Sequence, residues 1–385
     1  MKRLDNPSRY TPKVAESFGD AEQRFVWPPY VPAGDTTIVL ADGGTGKTIF
    51  GCGIAADVSR GRRLPGEIED RAPQKVLIIS AEDSGELLKK RLVASDADLS
   101  NIYILDCVQS QGLDFSERYL TFFDLILKCK PALVIVDPWH AFIGGDVDIN
   151  RVNQLRPVLQ GLSIIAKKCE CGMILVSHVN KRAQAENANH AAVGSVDLIN
   201  ASRSAIRVIF DDAPGREDYR ILIHTKSNYA PAGRSICYRI TEDGGLLWSG
   251  FSDITRRTLE AAARSHRTPH EELLRQGEQS SANALLRKAL KEYAAKAQPG
   301  KAVNLSYDQV KAEYGADIFC GMQPKRVLDT LSKDLKADGI LISTGKTVRD
   351  VRDGRTKNGF CLVKQPPLEA FESLPGFEWP EDENQ

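Results

Sequence analysis

A glycine-rich segment, residues 41–48, constrains the fold more than any other part of this 385-residue chain. It reads A-D-G-G-T-G-K-T, follows a β-branched run and precedes a stretch of helical periodicity. Glycines at this spacing let the backbone curl so that successive N–H groups point inward, and the following helix adds its positive end. The segment therefore predicts a phosphate-binding loop between a strand and a helix.

The loop also predicts the chemistry of its ligand. Lys47 is placed to reach the β and γ phosphates of a nucleoside triphosphate, and Thr48 offers a hydroxyl ligand for Mg²⁺. ATP and Mg²⁺ are therefore the expected cofactors. The residues that we expect to hold the nucleotide are Asp42, Gly43, Gly44, Thr45, Gly46, Lys47 and Thr48.

The strand pattern predicts the fold class. Short β-branched runs alternate with segments of helical length, which indicates an α/β fold with a doubly wound, mostly parallel sheet covered on both faces. Three consecutive runs then follow and are expected to extend one edge as antiparallel strands. The runs are residues 37–40, 75–80, 101–105, 133–137 and 173–177, then 206–209, 219–224 and 235–240.

Carboxylates stand at the ends of two of these runs. Asp137 ends an apolar run and is expected to hold Mg²⁺ with Thr48, because such strands deliver side chains to the carboxyl edge of the sheet. Glu82 follows another run and is placed to orient the attacking water. The alternative for Glu82 is an acid at a helix N-terminus, a role that Asp83 fits better.

Ser177 ends the run at 173–177, and His178 follows it. We expect them to lie beside the γ-phosphate, where they would report its presence to the following loop. The alternative is a histidine that only caps the end of a strand.

The last part of the chain has a different pattern. Residues 282–296 predict a helix, Ser306 begins a capping box for a second helix ending near Gly315, and Pro324 starts a third. A hairpin with a basic loop at 346–357 follows, and this order is typical of a winged helix-turn-helix. Such domains bind duplex DNA or serve purely as protein-interaction modules. The basic residues concerned are Lys325, Arg326, Lys333, Lys336, Lys346, Arg349, Arg352, Arg355 and Lys357.

Charge and composition indicate the domain boundaries. The 51 basic and 51 acidic residues cancel, but residues 284–364 carry 16 basic and 9 acidic side chains, and residues 366–385 carry six acidic and no basic ones. A basic module predicts an anionic partner, and the acidic tail would compete for the same surface. We expect an N-terminal arm (1–30), an ATPase core (31–250), a linker or exposed helix (251–281), a winged-helix domain (282–365) and an acidic tail (366–385).

Apolar runs and cysteines indicate the compartment. No apolar run approaches the roughly 18 residues of a membrane span, and the first residues include no apolar signal region. The eight cysteines form no CxxC pair and have no histidine at zinc-finger spacing, so we expect them to be reduced. These features exclude a membrane or secreted protein and predict a cytoplasmic one.

Taken in order, five motifs resemble the RecA-like ATPases of the RepA type, which are ring helicases of plasmids, phages and integrated elements. The resemblance covers about residues 30–240, although Ala41 replaces a glycine and Ser177 stands where many relatives carry a histidine. The motifs are the loop at 41–48, Ser-Ala-Glu-Asp at 80–83, Val-Asp-Pro at 136–138 followed by Phe-Ile-Gly-Gly-Asp at 142–146, Ser-His-x-Asn-Lys at 177–181, and Gly-Ser at 194–195 leading to Ala-Ser-Arg at 201–203.

The resemblance implies a homohexameric ring with ATP at the subunit interfaces. It implies Glu82 as the catalytic base and His178 as a sensor of the γ-phosphate. It also implies that Arg203 and Lys226 are donated to the nucleotide of the neighbouring subunit, with Arg207 as an alternative to Arg203.

The resemblance further implies that single-stranded DNA passes through the ring, in contact with loops at 141–150 and 181–193. The expected function is a replicative DNA helicase of a plasmid, phage or mobile element. Two alternatives stay open: a RecA-like recombination or repair ATPase that forms filaments, and a DNA-binding regulator switched by a nucleotide.

Overall fold

The computed structural model describes residues 12–19, 22–116, 119–145, 147, 152–178, 196–298, 301–320 and 322–364. Its internal contacts divide the chain into two compact units, Met1–Glu271 and Glu272–Gln385. Within the described ranges, no helix is both long and apolar enough to cross a membrane.

The first unit contains eleven strands and six helices among the residues described. The strands are β1 (Phe25–Trp27), β2 (Val31–Pro32), β3 (Thr36–Ala41), β4 (Val76–Ser80), β5 (Ile102–Leu105), β6 (Leu133–Asp137), β7 (Gly172–His178), β8 (Ser204–Phe210), β9 (Tyr219–Ser227), β10 (Ser235–Ile240) and β11 (Leu246–Ser252). The helices are α1 (Lys47–Arg60), α2 (Gly85–Ala94), α3 (Tyr119–Cys129), α4 (Val152–Cys169), α5 (Val196–Ala201) and α6 (Arg256–Ser265).

Nine of these strands form one sheet, in the order β11-β10-β9-β8-β3-β7-β6-β4-β5. The six strands from β8 to β5 are parallel to one another, and β9, β10 and β11 extend the β8 edge in antiparallel pairs. The predicted doubly wound, mostly parallel sheet with antiparallel edge strands is therefore confirmed. The expectation that residues 206–209 form an antiparallel edge strand is wrong, because β8 pairs in parallel with β3 and so belongs to the parallel part.

Both faces of the sheet are buried, which explains the continuous apolar runs of its strands. In β3, Val39 and Ala41 pack in one core cluster, while Ile38 and Leu40 pack in the other. β3 therefore lies at the centre of the fold, and the glycine-rich loop begins at its buried carboxyl end.

The expected N-terminal arm ends earlier than residue 30. Trp27 is completely buried, and its indole N–H donates to the carbonyl oxygen of Pro65 at 3.0 Å. Tyr30 is 2% exposed and donates its hydroxyl to the carbonyl oxygen of Arg234 at 2.6 Å. The surrounding prolines and polar residues conceal these two aromatic anchors in the sequence, and the burial of two large rings outweighs that local composition.

Residues 251–281 are mostly helical. β11 continues to Ser252, α6 follows, and a long helix begins at Pro269. The Thr255 hydroxyl caps α6 by accepting the N–H of Thr258, and Leu259 is buried beneath the helix. The expectation of a flexible linker is thus wrong here, and the expectation of a helix is correct.

The second unit combines helices with a small antiparallel sheet in the order β12-β14-β13. Its elements are α7 (Pro269–Lys296), whose first residues belong to the first unit, β12 (Ala302–Ser306), α8 (Tyr307–Tyr314), α9 (Pro324–Ala337), β13 (Ile340–Arg349) and β14 (Thr356–Lys364).

The predicted starts of the second and third helices are confirmed, whereas the first helix begins at Pro269 and not at residue 282. The Ser306 hydroxyl accepts the N–H of Gln309 at 3.0 Å, although the Gln309 side chain donates to Glu313 and does not complete a capping box. α9 begins at Pro324, and its apolar face is buried in the core of the unit. The residues of this face are Val327, Leu328, Leu331 and Leu335.

Candidate functional site

The loop between β3 and α1 has the tight backbone that its glycines predict. Gly44 and Gly46 have φ angles of 76° and 80°, in the left-handed region that favours glycine. A Cβ atom on Gly46 would lie 2.4 Å from Cδ1 of Ile240. The Thr45 hydroxyl donates to the carbonyl oxygen of Asp42 at 2.8 Å and closes the turn. Any side chain at position 46 would therefore deform the loop.

The two predicted magnesium ligands meet at the carboxyl edge of the sheet. The Thr48 hydroxyl donates to Oδ2 of Asp137 at 2.6 Å, across 89 positions of sequence. Asp137 is 7% exposed, and burial raises the pKa of its carboxyl group while the Thr48 hydrogen bond lowers it. A hydroxyl and one carboxylate suit Mg²⁺, which takes its remaining ligands from phosphate oxygens and water.

Lys47 lies in the concavity of the loop. It is 7% exposed, and its ammonium group donates to the carbonyl oxygen of Asp42 at 2.9 Å. Burial lowers the pKa of Lys47, while the negative charges of Asp137, Asp42 and Glu82 oppose that shift. The site therefore presents one buried cation that anionic phosphates would stabilise.

Glu82 is exposed and lies two residues beyond the end of β4. Its charge, after burial and other causes, helps to raise the pKa of Asp137, and it acts on Lys47 as well, so it lies near both. Asp83 instead forms an ion pair with Arg91 of α2. Asp83 also raises the pKa of Asp137, after burial and ahead of Glu82, so both acids lie near the site and only Asp83 is paired with the helix.

β7 adjoins the start of the loop. Ser177 pairs with Leu40 and His178 pairs with Ala41 in the parallel register of β7 and β3. Ser177 is 7% exposed. The side chain of His178 and all of residues 179–195, including the predicted loop at 181–193, lie outside the described residues.

The predicted loop at 141–150 is described only in part. Phe142 is 3% exposed, and its ring packs against Phe115 with ring centroids 5.5 Å apart. This part of the segment therefore belongs to the core, because an aromatic ring gains more from burial than from an exposed loop. Asp146 and residues 148–150 lie outside the described residues.

Arg203 and Lys226 lie at the opposite, amino-terminal edge of the sheet. Arg203 is exposed just before β8, and the Lys226 ammonium donates to the carbonyl oxygens of Ile199 and Asn200 at 3.0 and 2.9 Å. Burial, then the neighbouring charges of Arg203 and Arg156, lowers the pKa of Lys226. Because β3 separates the two edges by its full length, neither side chain belongs to the nucleotide site of its own chain.

Arg207 occupies a different place from Arg203. It pairs with Leu40 in the register of β8 and β3, and its Nη2 donates to Oδ2 of Asp42 at 2.8 Å. Arg207 is 3% exposed, and burial lowers the pKa of its guanidinium group. An arginine buried against its own loop is not available to a neighbouring subunit, so the alternative assignment of Arg207 is not favoured.

A second arginine that the sequence interpretation missed also holds the loop. Arg220 is 8% exposed, and its Nε donates to the carbonyl oxygen of Thr45 at 3.2 Å. Its guanidinium lies 4.3 Å from the ring centre of Phe210. The available signal was an arginine beside the apolar run of β9, where a charge is costly unless it is bound.

The basic residues of the second unit fall into two groups. Lys325, Arg326, Lys333 and Lys336 are exposed on α9. In the hairpin of β13 and β14, Arg352 and Lys357 bind the fully buried carboxylate of Asp350. Hydrogen bonds, first from Arg352 and then from Ser306, lower the pKa of Asp350. Two of the five predicted wing cations are therefore used inside the fold.

One protein-family model matches part of this chain. Residues 7–184 match the model of a family described as AAA domain, a segment that includes the glycine-rich loop, Glu82 and Asp137 but neither Arg203 nor Lys226. A search of the curated proteins finds no match.

Solved structures that match include a KaiC-like protein from the hyperthermophilic archaeon Pyrococcus horikoshii OT3. It is 13% identical, covers 59% of this chain and all of its own, and superposes with a TM-score of 0.43. At that TM-score the likeness is loose, and the strand order and the loop carry the argument. The AAA-domain match, the glycine-rich loop and the strand order together support a RecA-like P-loop ATPase fold for the first unit.

Proposed function

We propose that this protein is an ATP-hydrolysing ring motor that acts on DNA as the replicative helicase of a plasmid, phage or mobile element. The observation that carries the ATPase part is the 2.6 Å hydrogen bond between Thr48 and Asp137, with Lys47 and Glu82 beside it. These four residues cover the three functions that phosphoryl transfer to water requires: metal binding, phosphate binding and orientation of the water.

Each residue has one task in this mechanism. Thr48 and Asp137 would hold Mg²⁺, which neutralises charge on the phosphates when bound. Lys47 binds the β and γ phosphates, and the N–H groups of the loop surround them. Glu82, exposed at the mouth of the site, accepts a proton from the attacking water. Arg207 and Arg220 keep the loop in its binding shape.

The ring proposal rests on the two basic residues at the far edge. Arg203 and Lys226 cannot reach their own P-loop, but a head-to-tail assembly would place this edge against the nucleotide of the next subunit. A closed hexamer completes six such sites, and single-stranded DNA would then pass through its centre. Arg203 would stabilise the charge that develops in the transition state.

The second unit supports duplex binding. Its order of helix, strand, two helices and hairpin is that of a winged helix, and we propose α9 as its recognition helix. Lys325 lies close to the hairpin, because a Cβ on Gly345 would be 3.7 Å from its Nζ. Lys325 and Lys346, the residue after Gly345, are both exposed and offer neighbouring cations suited to phosphates.

A strand-displacement assay on forked DNA tests the proposal. Glu82→Gln is expected to lower the rate of ATP hydrolysis by at least about 100-fold while ATP still binds, because only proton transfer is removed. Arg203→Ala is expected to abolish unwinding as well. Two matched controls are Asp83→Asn, which breaks a helix-associated ion pair, and Arg24→Ala, an exposed arginine paired with Glu170.

The outcomes separate the alternatives. Wild-type protein that displaces no strand on any fork would contradict the helicase proposal. Assembly that lengthens with the DNA strand would indicate a recombination ATPase. Sequence-specific duplex binding that survives Lys47→Ala, without unwinding, would indicate a nucleotide-switched regulator.

A further inference from the structure

A groove lies within the second unit between α7 and α9, with a volume of about 800 Å³. Its bed is formed by small and apolar groups that include Ala284, Ala295 and Leu331. Arg287, Lys288 and Lys291 line it from α7, together with Glu292, whose carboxylate accepts the Tyr314 hydroxyl. We call it the α7–α9 groove. An apolar bed with cations along one wall fits a segment that carries both aromatic rings and carboxylates.

The cations of this groove differ in how they are bound. Arg287 forms an ion pair with Asp334, and Lys291 pairs with Asp338 at 2.9 Å. Their side chains are close to half exposed, so these pairs contribute little to stability and exchange readily for other carboxylates. Lys288 is exposed and has no ion pair among the residues that the structure describes. The wall therefore offers one open cation and two exchangeable ones.

The chain contains a segment of the required composition. Residues 366–385 include six carboxylates and no basic side chain. Aromatic residues stand among these acids, at Phe371, Phe377 and Trp379. This acidic aromatic tail complements the groove in both charge and polarity.

The described chain ends close to the Lys291 end of the groove. Lys364, the last residue of β14, pairs with Ile340 of β13. Ile340 stands two positions after Asp338, the partner of Lys291. The tail therefore starts close to the Lys291 end of the groove. Twenty residues span up to about 66 Å when extended, whereas the groove follows α7 for only about 22 Å.

We propose that residues 366–385 dock in the α7–α9 groove of their own chain, with aromatic rings on the apolar bed and carboxylates on Arg287, Lys288 and Lys291. Attachment beside the groove gives the tail an effective concentration in the millimolar range, so a weak intrinsic affinity suffices. Docking would compete with an anionic partner of the basic unit, a consequence that rests on the proposed DNA-binding function. The docking itself does not rest on it.

A labelled peptide of residues 365–385 tests the docking without DNA. We expect it to bind a chain that ends at Lys364, and to bind the full chain at least about tenfold more weakly because the attached tail occupies the groove. In the shortened chain, Lys288→Glu is expected to weaken binding at least about fivefold, and more salt should weaken it further. Lys311→Glu, an exposed change on α8 outside the groove, is the matched control.

Several results would overturn the proposal. These are absence of peptide binding at low salt, equal binding to the full and shortened chains, and equal effects of the two charge reversals. If the full chain excludes the peptide only at high protein concentration, its tail occupies the groove of a second copy. That result also contradicts docking within one chain. Circular dichroism verifies that each variant folds.

A parallel measurement of duplex affinity keeps the two proposals distinct. If the tail docks and the unit binds DNA, removal of residues 365–385 should tighten duplex binding at least about fivefold at low salt. Peptide binding without any DNA binding would uphold the docking and contradict the DNA-binding function. If removal of the tail does not change DNA binding and the peptide does not bind, the DNA-binding function would be upheld and the docking contradicted.

Discussion

Asp42 and Arg207 show how one ion pair between a buried arginine and a partly exposed aspartate can set the shape of a binding loop. The arginine approaches from a strand 165 positions away, and the aspartate lies inside the loop itself. Removal of Arg207 takes away the guanidinium that orients Asp42. The consequence at this site is a misplaced carbonyl of Asp42, the group that holds the ammonium of Lys47.

Arg207→Ala is therefore expected to weaken ATP binding about tenfold and to lower the free energy of unfolding by about 1–3 kcal/mol. Calorimetric titration with a non-hydrolysable ATP analogue and urea unfolding measure the two effects. Arg216→Ala is the control, because Arg216 pairs with Asp211 and touches no residue of the loop. An unchanged affinity for the analogue would show that Arg207 has no positioning role.

His224 is held in its neutral form by its partners. Its Nδ1 accepts the N–H of Gly233 at 2.9 Å, and its Nε2 lies 3.0 Å from the Ser204 hydroxyl. That hydroxyl donates to the carbonyl oxygen of Tyr30, so Nε2 must carry the hydrogen. Burial lowers the pKa of His224 to about 4.

The pH dependence follows from this lowered pKa. The stabilising contribution is complete above the unfolded pKa of about 6.5 and is lost as the pH falls towards 4, because the unfolded chain then binds the proton first. Between pH 7.5 and pH 5 the free energy of unfolding should fall by about 2 kcal/mol from this group. Urea unfolding of wild type and His224→Gln isolates the effect, and parallel pH profiles for the two would contradict it.

At the scale of elements, the cations of the β13–β14 hairpin fall into two groups. Some bind the buried Asp350, and others are exposed. Asp350 receives Arg352, Lys357 and the Ser306 hydroxyl, and so joins the hairpin to the start of α8. Lys325 and Lys346 stay exposed, and Lys325 at the start of α9 lies near Gly345 of the hairpin. Only this second group is placed to contact phosphates.

This division predicts different effects of lysine substitutions on duplex binding. Lys325→Ala and Lys346→Ala should each weaken binding and reduce the salt dependence by about one released counterion. Lys357→Ala should leave the salt dependence unchanged and instead lower the thermal stability of the second unit. Fluorescence anisotropy at several salt concentrations measures the slopes. Equal slopes for all three variants would contradict the assignment of α9 as the DNA-binding element.

At the scale of the whole molecule, the two edges of the central sheet have opposite chemistry. The carboxyl edge carries Lys47, Asp137 and Glu82, and the amino edge carries Arg203 and Lys226. One chain cannot bring the two edges together, whereas the proposed head-to-tail ring would do so at every interface. Catalysis would then depend on assembly, which couples hydrolysis to the arrangement of the subunits.

Mixing two inactive variants tests this arrangement. Lys47→Ala lacks a working P-loop but keeps Arg203, and Arg203→Ala has the opposite defect. In an equal mixture, roughly a quarter of the interfaces would be complete, so ATP hydrolysis should return to a comparable fraction of wild type. Lys47→Ala mixed with Glu82→Gln should recover nothing, because every subunit in that mixture lacks a working nucleotide site. No recovery in the first mixture would contradict a trans role for Arg203.

The sequence by itself determined the elements and the P-loop. Strand and helix periods, the glycine spacing and an acid after an apolar run are local patterns, and each reports a local conformation that the structure reproduces. Only the tertiary structure decided which arginine serves its own loop, that Trp27 and Tyr30 are buried, and that Lys357 is bound internally. Those outcomes depend on which distant strands become neighbours and in what register, and the energy of such pairings comes from contacts between residues that lie far apart along the chain.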